Sequence, residues 1–217
     1  MAWVVCAYFT RGNHYEKVVK DLIESMKKFE LPYDVTPITG TLSWDQATHY
    51  KPKFLLNMLK KHHPHNIIYV DADAIFCRYP KYFDKLDAGG NDVAVHILDH
   101  TQFRRKHCAP EMLSGTIYLR NTPTTEKILA EWIAVCATDP KLWDQRALAK
   151  VLANYPYDKL PAEYVCIFDY MASVKDPVIK HFQASRVARR KKKKSKSPKK
   201  QARVISNDGI VRINIVK

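Results

Sequence analysis

The chain has 217 residues, of which 46% are apolar, and a formal net charge of +14. That length can bury the core of one α/β domain with an appendage, and no apolar run reaches the roughly 18 residues of a membrane helix. The start of the chain lacks the charged region and cleavage site of a signal peptide, and the five cysteines have no metal-type spacing. These features predict a cytoplasmic protein with reduced thiols, in the host cytoplasm if the source is viral.

The positive charge is concentrated near the C-terminus. Of the 36 lysines and arginines, 11 lie in residues 186–203, which contain no acid. Residues 1–185 hold 23 basic and 21 acidic residues, a net charge of only +2. A basic block of this density repels itself and often serves as an arm that binds a polyanion.

The N-terminal part of the chain predicts a strand, a helix and a second strand. Trp3–Phe9 is a buried strand, and Thr10–Asn13 is a polar turn. Residues His14–Phe29 have apolar positions spaced for one helical face, and Pro32 follows that helix. Tyr33–Ile38 completes a β-α-β unit, which favours a parallel sheet with a right-handed crossover.

A second helix is predicted after a loop. Thr39–Tyr50 has no apolar period and predicts a surface loop, whereas Lys51–Lys61 predicts a helix started by Pro52. This assignment places Lys51 and Lys53 at a helix N-terminus, where exposed amides and the helix dipole favour phosphate. Two solvated lysines are the alternative interpretation.

The stretch Asn66–Phe76 contains the most informative motif. Ile67–Val70 is a short apolar run typical of a strand buried on both faces, and it stops at Asp71 and Asp73. Strand residues two apart share a face, and ligands of open α/β sheets bind at the carboxyl ends of strands. Two carboxylates there suit Mg²⁺ or Mn²⁺, although aspartate is also common in strand-end turns.

Another strand pair surrounds a polar, basic segment. Val93–Leu98 and Met112–Leu119 predict strands, and Asp99–Pro110 between them is a candidate acceptor loop. Its cationic side chains are Arg104, Arg105 and Lys106. Ser114 and Gly115 interrupt the second strand, which indicates either close approach of a ligand or backbone, or a bulge.

Two helices and a last core strand follow. Thr122–Thr138 has a clear helical period, and Asp144–Ala153 predicts a shorter helix. Asp144 and Gln145 open that helix, where capping is the commonest role of aspartate. The segment Leu160–Asp169 predicts the final strand of the core.

Three regions are predicted along the chain. Residues 1–186 form the catalytic domain, residues 187–202 form a basic low-complexity loop or arm, and residues 203–217 form a β-hairpin. The hairpin is predicted from two apolar runs that flank Asn207-Asp208-Gly209.

The order of these elements over residues 3–186 resembles the GT-A class of nucleotide-sugar glycosyltransferases, nearest to the glycogenin and bacterial galactosyltransferase-like groups. The shared order is β-α-β, a lysine-bearing helix, Asp-x-Asp, Ser-Gly within a strand, Asp-Gln opening a helix, and a late Pro-x-x-x-His that ends at His181. The chain departs from glycogenin after that histidine, where Gln183-Ala-Ser-Arg replaces Gly-x-x-Lys-Pro-Trp. The resemblance implies an α/β, Rossmann-like GT-A fold, with a mostly parallel central sheet flanked by helices and a C-terminal basic loop and hairpin.

The resemblance also implies a site. Asp71, Asp73 and His181 would hold Mn²⁺ or Mg²⁺ at the diphosphate of a UDP-sugar. Asp71 would also bind the donor. The remaining donor-binding residues would be Tyr8, Thr10, Arg11, Lys51, Lys53, Ser114, Gly115 and Arg186. Asp144 and Gln145 would be catalytic, facing the sugar or acceptor. No strong base is needed if the reaction retains configuration, and Asp144 is the candidate base if it inverts.

The basic arm guides the choice of acceptor. When a basic arm binds a polyphosphate such as DNA, counterions are released and affinity is gained without sequence specificity. The predicted acceptor is therefore DNA carrying a hydroxylated base such as 5-hydroxymethylcytosine, as in viral DNA-modifying glycosyltransferases. The DNA-binding residues would be Arg104, Arg105, Lys106, Arg189, Arg190, Lys191, Lys192, Lys193 and Lys194. The alternatives are a surface-glycan or lipopolysaccharide transferase with its arm on anionic membrane, and a metal-dependent nuclease or nucleic-acid-binding module.

Overall fold

The computed structural model describes residues 2–39, 44–103, 108–184, 203–207 and 210–214. The chain divides into two compact units, residues 1–183 and residues 184–217. In the described residues of the first unit, no helix combines the length and apolar character that crossing a membrane requires.

The first unit alternates strands and helices. Its strands are β1 (Trp3–Thr10), β2 (Tyr33–Ile38), β3 (Asn66–Val70), β4 (Ala74–Phe76), β5 (Val93–Leu98), β6 (Glu111–Leu119), β7 (Asp158–Lys159), β8 (Cys166–Ile167) and β9 (Ile179–His181). Its α-helices are α1 (Tyr15–Lys28), α2 (Trp44–Lys61), α3 (Lys81–Ala88), α4 (Pro123–Thr138) and α5 (Asp144–Leu152). Short 3₁₀ turns lie at His100–Phe103 and Ala162–Tyr164.

The main sheet has the strand order β2-β1-β3-β6-β5-β7. Strand β1 runs parallel to β2 and β3, and β5 runs parallel to β7, whereas β6 is antiparallel to both its neighbours. All strands of this sheet except β6 therefore point the same way, which confirms the mostly parallel sheet. A smaller sheet of order β4-β9-β8 adjoins the end of β3.

Helices cover both faces of the main sheet. On one face, Phe54 and Leu59 of α2 and Trp132 of α4 join a cluster with Ile67. On the other face, Leu22 of α1 packs in a cluster with strand residues that include Ile68 and Val70. Alternate residues of β3 thus enter opposite cores, as its continuous apolar run predicts.

Helix α2 begins earlier than its sequence predicts. It starts at Trp44, so the predicted loop Thr39–Tyr50 is wrong from that residue, and Pro52 lies inside the helix. Tertiary contacts hold the first turns: the hydroxyl of Tyr8 donates to the carbonyl of Ala47 at 2.7 Å, and the ring of Tyr50 meets that of Tyr8 edge-on at 5.6 Å. These contacts offset the missing amide donor of the proline.

The predicted strand Leu160–Asp169 is also wrong. Pro161 is followed by the 3₁₀ turn Ala162–Tyr164, and only β8 remains of the predicted strand. Proline lacks the amide that a strand ladder uses, so the chain turns there instead.

The second unit contains the predicted hairpin. Strand β10 (Arg203–Asn207) pairs antiparallel with β11 (Ile210–Asn214), and Asn207 lies opposite Ile210. The two residues that connect them lie outside the described residues, as does the basic block before β10.

A polar cluster ties β2 to the end of α2. The carboxylate of Asp34 accepts hydrogen bonds from Lys61 at 2.6 Å and contacts His62 at 2.8 Å. Burial alone would raise the pKa of Asp34, but the hydrogen bonds and charges of Lys61 and His62 outweigh it and hold that pKa below its usual value of 3.8.

We therefore expect Asp34→Asn to lower the free energy of unfolding by about 0.5–1 kcal/mol at pH 7. Because the folded-state pKa is depressed, this contribution exists above the unfolded pKa and disappears as pH falls through the folded pKa. Urea unfolding of both proteins at pH 7, 5 and 3 measures the difference, with Asp21→Asn on the exposed face of α1 as control. A pH-independent difference would contradict this role of Asp34.

Candidate active site

A buried lysine lies at the centre of the site. The Nζ of Lys51 is 2.9 Å from Oδ2 of Asp144 and 3.3 Å from Oδ1 of Asp71. It also donates to the carbonyl and the hydroxyl of Ser114, each at 3.1 Å. Lys51 thereby connects α2, α5, β6 and the residue that follows β3.

This lysine is charged despite its burial. Burial lowers the pKa of Lys51, but the carboxylates of Asp144 and Asp71 outweigh that effect and raise the pKa above its ordinary value. The hydroxyl of Ser114 donates to Oδ2 of Asp144 at 3.0 Å, so this carboxylate oxygen interacts with both Ser114 and Lys51. The cation is therefore matched by two anions at short range.

The predicted placement of Lys51 and Lys53 at a helix N-terminus is wrong. Both lie well inside α2, and Lys53 is exposed whereas Lys51 is buried. Residues two apart on an α-helix differ by about 200° in direction, so the two side chains face opposite ways. Lys51 reaches the site through its side chain, without any help from helix-end amides.

Asp71, Asp73 and His181 converge. One ligand atom from each lies within 4.8 Å of the other two. The convergence follows from the pairing of β4 with β9, because Ala74 lies opposite His181 and the amide of Phe182 donates to the carbonyl of Asp73 at 3.1 Å. A late segment of the chain is thus placed beside the Asp-x-Asp motif.

His181 has the properties of a neutral ligand. Burial lowers its pKa, and the charges of Asp71 and Asp73 offset this only in part. Its Nε2 lies 2.8 Å from the hydroxyl of Thr116. A proton on Nε2, shared with that hydroxyl, leaves a lone pair on Nδ1, and such a partner fixes the orientation of a ligating imidazole.

Gly115 leaves space beside this cluster. A Cβ atom at that position would lie 3.1 Å from Oδ2 of Asp71 and 3.2 Å from Cε1 of His181. Between Val95 and His96 the pairing partner on β6 moves from Ile117 to Leu113, so the segment also forms a bulge. The bulge interpretation of the Ser-Gly interruption is confirmed, and another part of the backbone also comes close, because the amide of Asp71 donates to the Gly115 carbonyl at 2.9 Å. Two carboxylates and an imidazole form a donor set that fits Mn²⁺ or Mg²⁺, and the missing Cβ of Gly115 leaves space beside them.

Asp144 and Gln145 do not cap α5. Trp143 occupies the N-cap position, and no side chain caps this helix. The Asp144 carboxylate instead faces Lys51, and the indole N–H of Trp132 donates to the Asp144 carbonyl at 2.9 Å. Gln145 accepts a hydrogen bond from the amide of Ser114 at 3.3 Å.

The remaining predicted donor residues differ in position. Tyr8 is buried with its hydroxyl bonded inside the protein, and burial raises its pKa. Thr10 is half-buried and Arg11 is exposed at the carboxyl end of β1. A further set lies outside the described residues: Arg104, Arg105, Lys106, Arg186, Arg189, Arg190, Lys191, Lys192, Lys193 and Lys194.

Sequence reasoning missed three supporting residues. The hydroxyl of Tyr69 donates to Oδ1 of Asp71 at 2.7 Å, Thr116 contacts His181, and Glu111 accepts from Gln145 at 2.6 Å. The contact of Tyr69 with Asp71 could have been predicted from the sequence, because residues two apart in a strand lie on the same face. The contacts of Thr116 and Glu111 depend on tertiary pairing, so no local pattern signals them.

The fold and this site define a GT-A-type glycosyltransferase. The chain belongs to the nucleotide-diphospho-sugar transferase family, whose family model matches residues 22–201. This membership favours sugar transfer over the nuclease and nucleic-acid-binding alternatives. No protein with a curated description matches the sequence.

Solved glycosyltransferases share the fold at low identity. A glycosyltransferase involved in the glycosylation of the major capsid of PBCV-1 has a TM-score of 0.65 at 13% identity, over 90% of this chain and 99% of that chain. GlyE of Streptococcus pneumoniae has a TM-score of 0.57 at 13% identity, over 82% of this chain and 54% of that chain. The galactosyltransferase LgtC, solved with donor and acceptor sugar analogs, has a TM-score of 0.54 at 9% identity, over 83% and 87%.

Removing the charge of Lys51 tests the central ion pairs. We expect Lys51→Met to lower the free energy of unfolding by about 3–5 kcal/mol, because it leaves the buried carboxylate of Asp144 and the partly exposed carboxylate of Asp71 without their cation. Chemical denaturation at pH 7 measures this loss. Lys53→Met, on the exposed side of the same helix, is the matched control and should change stability by less than about 0.5 kcal/mol. Equal effects of the two substitutions would contradict the central role of Lys51.

Proposed function

We propose that this protein transfers a sugar from a UDP-sugar to a hydroxyl acceptor, using Mn²⁺ or Mg²⁺ held by Asp71, Asp73 and His181. The observation that carries the proposal is the convergence of their ligand atoms within 4.8 Å. Family membership supports the nucleotide-sugar donor.

When bound there, the cation supplies Lewis-acid stabilisation of the negative charge on the departing diphosphate. The chain's own residues prepare the site for it. Tyr69 and Lys51 both contact Oδ1 of Asp71, whereas Oδ2 faces the gap at Gly115. The carboxylate is therefore fixed with a definite oxygen directed at the cluster, which limits reorganisation when the donor binds.

The residues facing the sugar are held in the same way. Lys51 and Ser114 fix the Asp144 carboxylate, and the Ser114 amide fixes Gln145. If the reaction inverts configuration, Asp144 takes the proton of the acceptor hydroxyl. If it retains configuration, Asp144 and Gln145 orient the sugar and no strong base is required.

Ligand-dependent stability tests the donor site. We expect UDP and Mn²⁺ together to raise the melting temperature of the wild-type protein, since ligands that bind the folded state stabilise it by mass action. Asp73→Asn should lose most of this shift because it removes one ligand charge. Differential scanning fluorimetry with UDP alone, Mn²⁺ alone and both measures it. An unchanged shift in Asp73→Asn would refute the proposed ligand set.

A pair of glycine substitutions sharpens this test. Gly115→Ala should weaken Mn²⁺-dependent UDP binding, because its Cβ would crowd both Asp71 and His181. Gly89→Ala is the matched control, since a Cβ there would meet nothing within 4 Å. Similar UDP affinity in the two variants would count against a metal position beside Gly115.

For the acceptor, we propose DNA carrying a hydroxymethylated pyrimidine such as 5-hydroxymethylcytosine. The support is the charge distribution: a nearly neutral catalytic region is joined to 11 cations within residues 186–203. Such a block releases counterions on binding a polyphosphate, and the hydroxymethyl group supplies the primary hydroxyl that unmodified pyrimidines lack. The base would have to leave the stack to reach the site.

The second candidate acceptor is a surface glycan or a protein-linked glycan. It is supported by the PBCV-1 enzyme, which is involved in capsid glycosylation, and by LgtC, which was solved with an acceptor sugar analog. On this alternative, the basic block would hold the enzyme near anionic membrane or another polyanion.

Transfer assays separate the two acceptors. Labelled UDP-glucose and UDP-galactose are incubated with Mn²⁺ and duplex DNA containing cytosine or 5-hydroxymethylcytosine, or with lactose. Label on hydroxymethylated DNA only, with activity falling steeply as salt rises, is the expected result. Label on the sugar acceptor with none on DNA would replace the DNA proposal with the glycan alternative.

A further inference from the structure

A chain of hydrogen bonds runs from the candidate active site to the 3₁₀ turn after β5. Gln145 Nε2 donates to Oε1 of Glu111 at 2.6 Å, and Oε2 of Glu111 lies 3.2 Å from Nε2 of His100. The Nδ1 of His100 lies 2.7 Å from the hydroxyl of Tyr170. At the other end, Oε1 of Gln145 accepts from the amide of Ser114 at 3.3 Å.

The donors and acceptors of these hydrogen bonds agree in only one direction when the Glu111 carboxylate is ionised and the His100 imidazole is neutral. The Ser114 amide can only donate and the Glu111 carboxylate can only accept, so the Gln145 side chain must present oxygen to Ser114 and nitrogen to Glu111. Glu111 then requires a proton on His100 Nε2, and a neutral His100 accepts from the Tyr170 hydroxyl at Nδ1. Two independent partners thus fix the orientation of one amide.

We propose that Glu111, supported by His100 and Tyr170, is a positioning residue that fixes the side-chain amide of Gln145 and thereby sets the sugar selectivity of the donor site. This inference rests on the proposed function, in which Gln145 faces the transferred sugar. It goes further by assigning a role to three residues outside the metal and nucleotide contacts.

The consequence is a site with a fixed pattern of donors and acceptors. An amide free to flip can bond a sugar hydroxyl with either end, so it tolerates both epimers at a given carbon. A fixed amide offers one lone pair and one N–H in set directions, and a hydroxyl of the wrong configuration leaves one of them unpaired. Unpaired polar groups in a binding site are a strong source of discrimination.

The substitution Glu111→Gln tests this role with little change in shape. The new amide can accept from Gln145 through its oxygen only if its NH2 faces His100 and His100 takes the other tautomer, so the charge-assisted hydrogen bond of the carboxylate is replaced by a weaker neutral one. Glu126→Gln, on the exposed face of α4, is the matched control for the chemical change. A third variant, Gln145→Ala, removes the group through which Glu111 is proposed to act.

The first measurement does not depend on turnover. In ¹⁵N-labelled protein, the side-chain amide signal of Gln145 is identified by its absence in Gln145→Ala. We expect slow exchange of this amide with water in wild type and in Glu126→Gln, and exchange at least about tenfold faster in Glu111→Gln. Unchanged exchange in Glu111→Gln would overturn the positioning role, whatever the activity of the protein.

The second measurement follows kcat/KM for UDP-glucose and UDP-galactose. Glu111→Gln should lower kcat/KM for the preferred donor by about 10- to 100-fold and bring the ratio of the two donors closer to one, while Mn²⁺-dependent binding of UDP stays unchanged. In the Gln145→Ala background, Glu111→Gln should have no further effect.

Additive losses in the double variant, or equal losses for both donors, would show a purely structural role. A wild-type protein whose melting temperature is not raised by UDP and Mn²⁺, but whose Gln145 amide still exchanges slowly, would contradict the proposed function and leave the orientation of Gln145 established.

Discussion

The structure depends on one buried cation placed between two carboxylates. Asp71 follows a strand of the sheet, Asp144 opens a helix, and without a cation between them their negative charges would repel at short range. Lys51 resolves this conflict, since its burial cost is offset by two ion pairs and by hydrogen bonds to Ser114. Because those four residues come from four segments, the same interaction that neutralises the charges also fixes the geometry of the site.

The cluster of Asp71, Asp73 and His181 depends on a second constraint, the short antiparallel pairing of β4 and β9. The chain continues from Asp73 directly into β4, and β9 returns His181 to the position opposite Ala74. The bulge in β6 then brings Gly115 against Asp71, whose amide donates to the Gly115 carbonyl at 2.9 Å. A Cβ at that point would lie 3.1 Å from Oδ2 of Asp71 and 3.2 Å from Cε1 of His181, so a side chain there would crowd both residues.

Charges are distributed differently in residues 1–183 and in the basic block at residues 186–203. The described part of residues 1–183 contains specific ion pairs, such as Lys51 with Asp144 and Lys61 with Asp34. The sequence of residues 186–203 has 11 cations and no acid. Ion pairs stabilise a fold and orient groups, whereas a block of one sign creates a field that attracts an oppositely charged polymer. The proposed function assigns the sugar chemistry to the first of these parts and the choice of acceptor to the second.

Much of the fold was predictable from the sequence because its signals are local. The apolar run Ile67–Val70, the helical period of α4 and the paired apolar runs of the C-terminal hairpin each follow from the spacing of neighbouring residues. The proximity of Asp71 and Asp73 was predictable for the same reason, since residues two apart in an extended segment share a face. The late histidine was assigned only through the order of motifs along the chain.

Only the tertiary structure decided the rest. Proline at position 52 locally indicates a helix start, yet α2 begins at Trp44 because Tyr8 holds its first turns. That shift turns Lys51 from a residue at a helix end into the buried partner of Asp71 and Asp144. The hydrogen bonds that link Gln145, Glu111, His100 and Tyr170 likewise join positions far apart in the sequence. Sequence patterns report interactions between neighbours, whereas contacts between distant segments arise when the sheet and its helices pack, and these contacts gave each functional side chain its partner.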